Sequence, residues 1–220
     1  MESLKLYYPL NDIANIFPGY TRQVLRKKQT TNSNDSKQLK IVNFQNVKDY
    51  SKGINIDDKC EVVNFKQEYS KEVKYMEKGD IIMPIKSGLE NSEIIYIDEE
   101  PKDKYIYDST ILVIRVTDIN VDSRYVYIMM SKSEPIQNGL KKAKYHSSLD
   151  KKGKFQSTVV PRLSKGILSN ILIRQLSKKE MEEVVNEYIR IKNAQQDFLK
   201  KISEMQVDEE SRASIWWITK

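Results

Sequence analysis

One cysteine, Cys60, and one histidine, His146, are all that 220 residues supply of the commonest metal and nucleophile side chains. A single thiol excludes an intramolecular disulfide and any zinc site built from several thiolates, and it suits a reducing compartment. With one imidazole there is almost no material for a Cys-His nucleophile or a histidine-ligated hydrolase centre. No run of apolar residues reaches the length that spans a bilayer, and Met1-Glu2-Ser3-Leu4-Lys5 holds no apolar signal core, so the expectation is a cytoplasmic protein that does not enter a membrane. Seven glycines and six prolines are too few for long linkers or low-complexity tracts. Glycine-rich phosphate loops and the Asn/Asp-Pro-Pro-aromatic motif of a methyltransferase are also missing. No cofactor is implied by these absences.

What the chain does have is charge and one long periodic segment. Lys and Arg number 37 against 31 Asp and Glu, a net charge of +6, which favours a polyanionic partner over an acidic small molecule. Ser177 to Met205 opens on a capping box, Ser177-Lys178-Lys179-Glu180, and contains neither Gly nor Pro. Met181, Val184, Tyr188, Ile191, Phe198, Ile202 and Met205 then recur at three-four spacing, with Gln195 at the one polar position. This heptad seam predicts a helix of about 40 Å that pairs with a second long helix, Gln195 fixing register. The alternative is a helix packed along its own domain.

Upstream, Leu10 to Ala14 suggests a helical turn, followed by an extended piece that ends at Pro18-Gly19. Strands are expected over 40–47, 60–65, 94–97 and 109–116, the last apolar on both faces and therefore central. Lys78-Gly79-Asp80 reads as a tight turn into another buried strand, Arg124 to Lys132 as helix or strand, and 163–173 as a short helix into a last strand. Two stretches concentrate cations in what reads as loop. Thr21 to Lys37 carries Arg22, Arg26, Lys27 and Lys28; Asn138 to Lys154 carries Lys141, Lys142, Lys144, Lys152 and Lys154 around Tyr145 and His146. Cations beside an aromatic and an imidazole suit phosphate contacts combined with base contacts or stacking. A solvated charged face fits each stretch equally well. A metal-dependent nuclease is the best enzymatic candidate, since Glu72-Val73-Lys74 offers a Glu-x-Lys half-site with Asp57 or Asp58 upstream, but a chain rich in Glu and Lys produces such triplets by chance. The tail, 207–220, contains Ile215-Trp216-Trp217-Ile218, and two tryptophans are expected to pack on the helix or on a partner.

In order and spacing these segments resemble one half of the DNA-specificity subunit of type I restriction-modification systems. The resemblance rests on Leu10-Asn11-Asp12-Ile13-Ala14, Phe17-Pro18-Gly19, Lys78-Gly79-Asp80-Ile81-Ile82, Val160-Pro161-Arg162-Leu163, Ile171 to Leu176 and the heptad helix, and it covers roughly residues 6 to 205. It departs from the family at Leu176-Ser177-Lys178-Lys179-Glu180, where a Pro-containing, Gln-ending lead is usual.

The resemblance implies an α/β (α+β) chain: a mixed-sheet target-recognition domain at 1–174, a spacer and dimerisation helix at 175–206 forming an antiparallel coiled coil with a partner copy, and the tail. It also implies a non-catalytic subunit that reads half of a bipartite double-stranded DNA site and docks an adenine methyltransferase subunit, with or without a restriction subunit. The rival reading is a protein-interaction or assembly module with no sequence-specific DNA binding of its own.

Overall fold

Two strands with apolar side chains on both faces organise the molecule: β5 (Ile81–Pro84) and β8 (Ile111–Val116), whose one charged residue is Arg115. Since successive side chains leave a strand on opposite faces, strands with no polar face must be covered twice. A computed structural model, which describes residues 6–28, 36–66, 73–86, 93–149, 152–154 and 160–218, shows how. With β2 (Ala14–Pro18) and β6 (Ile95–Tyr96) they form an antiparallel sheet in the order β2-β8-β5-β6. Ile81, Met83, Leu112 and Ile114 enter one core, while Ile82, Ile111 and Val113 enter a second on the opposite face.

The first core is closed by helices. They are α1 (Leu10–Ile13), α4 (Ser123–Lys132), α5 (Glu134–Ser147), α6 (Lys165–Ser169) and α7 (Lys178–Ile218), contributing among others Leu10, Tyr125, Leu140, Leu168 and Val185. The second core is closed by another sheet, in the order β4-β3-β7, from β3 (Ser36–Val42), β4 (Glu61–Lys66) and β7 (Tyr105–Tyr107). Val42, Tyr105 and Tyr107 face the first sheet there, together with Val47 of α3 (Phe44–Tyr50). On the far face of that second sheet, Leu39, Ile41, Val63, Phe65 and Ile106 make a third core with Leu25 of α2 (Arg22–Lys28). Finally β1 (Tyr7–Pro9) pairs antiparallel with β9 (Leu172–Arg174), tying the start of the described chain to the residues just before α7.

Two glycines are required where they stand. A Cβ on Gly19 would sit 2.0 Å from the Asp108 carbonyl oxygen, so the turn after Pro18 admits no side chain. Gly79 has φ +90°, in the left-handed region, and delivers Asp80 into the protein interior. The Asp80 carboxylate accepts from Arg115 Nε at 2.7 Å and Nη2 at 2.8 Å, from the Tyr107 hydroxyl at 2.7 Å and from the Glu77 backbone N–H at 3.0 Å. Arg115 also donates to the Tyr75 carbonyl oxygen at 2.6 Å and pairs with Glu77 at 2.6 Å. One buried carboxylate thus joins β5, β7 and β8 across the second core, and burial followed by the Asp80 charge pushes the Tyr107 phenol well above its ordinary range.

Three expectations from the pattern are corrected. The strand expected over 40–47 ends at Val42, because Asn43 and Asn46 exchange side-chain bonds with each other's backbone N–H at 2.9 and 3.0 Å and start α3. Within 21–37, residues Arg22 to Lys28 are helical rather than loop, with the Val24 N–H bonded to Thr21 Oγ1. Asn138 to Ser147 likewise belongs to α5, where lysines are good helix formers and Ile136 and Leu140 supply the inward face. Arg124 to Lys132, open between helix and strand, is helix, capped by Asp122. The long helix starts as expected: Ser177 N–H and Oγ each lie 2.7 Å from Glu180 Oε2, and the Glu180 N–H donates to Ser177 Oγ at 3.3 Å. It runs past Met205 to Ile218, with side chains described through Glu204.

Candidate nucleic-acid interface

The cations singled out by the sequence fall on two different layers. On α2, Leu25 is anchored in the third core and Arg22, Arg26 and Lys27 are exposed; the Lys28 side chain lies outside the described residues. Arg22 is 3.4 Å from Glu61, an exposed pair worth little. The fold brings further cations to this layer. Lys74 Nζ lies 4.1 Å from the centre of the Phe17 ring, and its backbone N–H donates to the Tyr20 hydroxyl at 2.8 Å. Lys104 Nζ lies 5.4 Å from the Tyr75 ring. Tyr20, Tyr75 and Leu25 pack on the same core, so the start of α2 and the segment around Lys74 form one basic surface with aromatic supports.

The second set sits on and after α5. Lys141, Lys142, Tyr145 and His146 are exposed along its last turns, and Lys152 and Lys154 are exposed just beyond. Lys144 is not on that surface: it is fully buried, and desolvation alone lowers its pKa. Ile136, Leu140, Lys144 and Ser148 follow one another at four-residue spacing, which is the inward line of the helix and its cap. Arg162 joins this set, because its backbone N–H donates to Ser147 Oγ at 2.8 Å, a contact no local pattern reveals. The α5 set rests on the first core and the α2 set on the third, so the fold gathers each set but does not merge them.

Of the nuclease half-site, the described residues Asp57 and Lys74 are engaged with other partners. Asp57 accepts from Lys40 at 2.8 Å and from the Tyr105 hydroxyl at 2.6 Å, Lys74 lies over Phe17, and Glu72 is outside the described residues. No group of three or more His, Cys, Asp or Glu among the described residues could hold a metal ion. Among them too, no helix is long and apolar enough to cross a membrane.

The heptad seam divides into two halves. Met181 is buried in the protein's own first core, and Val184 and Tyr188 pack against it, Tyr188 edge-on to Tyr127 of α4 at 6.2 Å. Met181 is therefore occupied by its own domain and does not face a partner helix, unlike the expectation from the heptad spacing. Beyond, Ile191 is 45% exposed, Phe198 64% and Ile202 37%, with Gln195 exposed among them; the Met205 side chain is outside the described residues. Leu199, 64% exposed, widens the stripe beyond the strict heptad.

Against solved structures the chain has clear neighbours. It superposes over 93% of its length on the HsdS subunit from Thermoanaerobacter tengcongensis, with a TM-score of 0.54 and 14% identity. The chain has the fold of a type I restriction-modification S subunit. A second neighbour, from a study of complex assembly and conformational transition of the type I R-M system, gives a TM-score of 0.50 at 13% identity, again over 93% of the chain. The chain spans 46% of the length of each of these two proteins. No family pattern matches the sequence, and no curated protein matches it.

Proposed function

We infer that this chain is a DNA-specificity subunit, or the corresponding part of one, in a type I restriction-modification or related adenine methyltransferase complex. It binds and does not catalyse. The observation that carries the reading is the combination, in an S-subunit fold, of cations on rigid elements with a helix whose second half leaves its apolar stripe in solvent. Arg22, Arg26, Lys27 and Lys74 on one layer, and Lys141, Lys142, Lys152, Lys154 and Arg162 on the other, supply phosphate contacts, which set affinity and position. Tyr145 and His146, exposed at the end of α5, are placed for contacts to base edges or stacking.

The exposed stripe on α7 pairs with the α7 of a second copy, so that two recognition domains read the two halves of a split site. A methyltransferase subunit docks alongside and holds the target adenine in its own pocket. Replacing Arg26, Lys27, Lys141 and Lys142 with Ala removes four cations without touching a core. The expected result is weaker binding to duplex DNA and a slope of log K against log salt reduced by about 0.9 for each phosphate that is no longer neutralised. An unchanged slope removes both surfaces from the DNA face.

A further inference from the structure

Beside the first turns of α7 lies an open groove of about 820 Å³. Ile128, Leu176, Val184 and Tyr188 give it apolar walls, and its rim carries both signs of charge, Lys132, Arg174 and Lys192 with Glu180, Glu183 and Glu187. Lys132 Nζ is already 5.9 Å from the Tyr188 ring, so ammonium and aromatic are arranged together there. The groove is an unfilled surface that starts on the half of α7 its own domain otherwise covers and runs to Ile191 and Gln195, where the exposed stripe begins.

The rise of the helix fixes what reaches it. In an antiparallel pair that places the exposed residues Ile191, Phe198 and Ile202 of two copies against each other, the crossing falls near Gln195. Trp216 is 21 residues after Gln195, three heptads on, so it keeps the seam position. Arg174 is 21 residues before Gln195 and Leu176 is 19 before. Because α7 is one unbroken helix from Lys178 to Ile218, the Trp216-Trp217 pair of one copy travels about 32 Å from the crossing and arrives at the groove of the other. A crossing shifted to the midpoint of Ile191 and Ile202 moves the landing point only to about residue 177, still within the groove's edge between Leu176 and Glu180.

We propose that the Trp216-Trp217 pair of one copy seats in the groove formed by Ile128, Lys132, Arg174, Leu176, Val184 and Tyr188 of a second copy, locking the register of the helix pair. The inference rests on the reading of α7 as a pairing helix and adds the contact that closes each end. Indole rings suit the site chemically. They are broad apolar plates, and their faces attract the Lys132 and Arg174 side chains at the rim.

Trp216 and Trp217 are the chain's only tryptophans, so intrinsic fluorescence reports on them alone. In the full chain, emission is expected to be blue-shifted when sedimentation shows a dimer. Leu176→Arg, and separately Arg174→Glu, are expected to shift it to the red while the dimer persists, each variant's folding being checked by its unfolding midpoint. Trp216→Ala with Trp217→Ala is expected to raise the dimer dissociation constant by at least about a hundredfold, since two indoles are lost at each of the two ends.

Mixing decides that the contact is between copies. Leu176→Arg chains that retain their tryptophans, combined with Trp216→Phe/Trp217→Phe chains whose groove is intact, are expected to regain the blue shift. A dimer whose emission is that of solvated indole, or is unmoved by either groove variant, overturns the seat and leaves the helix pairing standing. A chain that stays monomeric at every concentration overturns both.

Discussion

Replacing Asp80 with Ala is expected to destabilise the fold by about 3 kcal/mol, and the number follows from what the carboxylate holds. It accepts four hydrogen bonds and is fully buried. Breaking a buried pair by removing one partner costs roughly 3–5 kcal/mol, because the remaining charge stays desolvated. Two features place this case at the lower end: the Arg115 side chain is 20% exposed, and it keeps the Tyr75 carbonyl and the Glu77 carboxylate. The Tyr107 hydroxyl loses its acceptor, which by itself costs about 1–3 kcal/mol and is the part least able to recover. In a chain of this size a loss of about 3 kcal/mol lowers the melting temperature by roughly 6–12 °C.

Urea unfolding of the wild type, Asp80→Ala, Arg115→Met and the double variant measures it as a cycle. Strong coupling between the two sites, with the double variant less costly than the sum, is the expected outcome. A single-variant loss below about 1 kcal/mol would refute the reasoning that this network joins the two sheets. The effect also reaches the basic surface. Arg115 lies 5.5 Å from the Phe17 ring that supports Lys74, so the stable remnant of the variant should bind duplex DNA less well.

Two further outcomes test other links. Ile191→Asp with Phe198→Asp places carboxylates on the exposed stripe and should leave a monomer of unchanged fold; a dimer seen by sedimentation would mean that α7 is not the interface. The pair Lys40–Asp57 gives a pH dependence. Hydrogen bonds first from Lys40 and then from Tyr105 lower the Asp57 pKa, so its contribution is present above the unfolded carboxylate value of about 3.9 and is lost as pH falls through the lower folded value. Lys40→Met should therefore flatten the acid side of the stability curve below about pH 4, and an unaltered acid limb removes this pair from the account.

Much of this was legible where a pattern has one physical cause. Ser177 and Glu180 announce a helix start, Pro18-Gly19 a turn, and the apolar run from Ile111 to Ile114 a strand buried on both faces. Helices α2, α3 and α5 were hidden because lysine, arginine and asparagine make a segment look like loop when a single leucine or a reciprocal cap is enough to fold it back on a core. Lys144 shows the cost of reading composition without periodicity: spacing from Ile136 and Leu140 already turned it inward. Lys74, Lys104 and Arg162 belong to the candidate surfaces through contacts with distant residues, and local sequence carries no such signal. The heptad seam was visible, but its spacing is the same whether a position faces its own domain, as Met181 does, or solvent, as Phe198 does.

Whether the chain reads DNA is tested most directly by selecting binders from a pool of random duplexes with the purified protein at physiological salt. Enrichment of a split motif, two half-sites separated by a spacer of fixed length, is the predicted result, with the half-sites related by two-fold symmetry when two copies of the chain pair. Binding that enriches no sequence, or a single undivided motif, would contradict it.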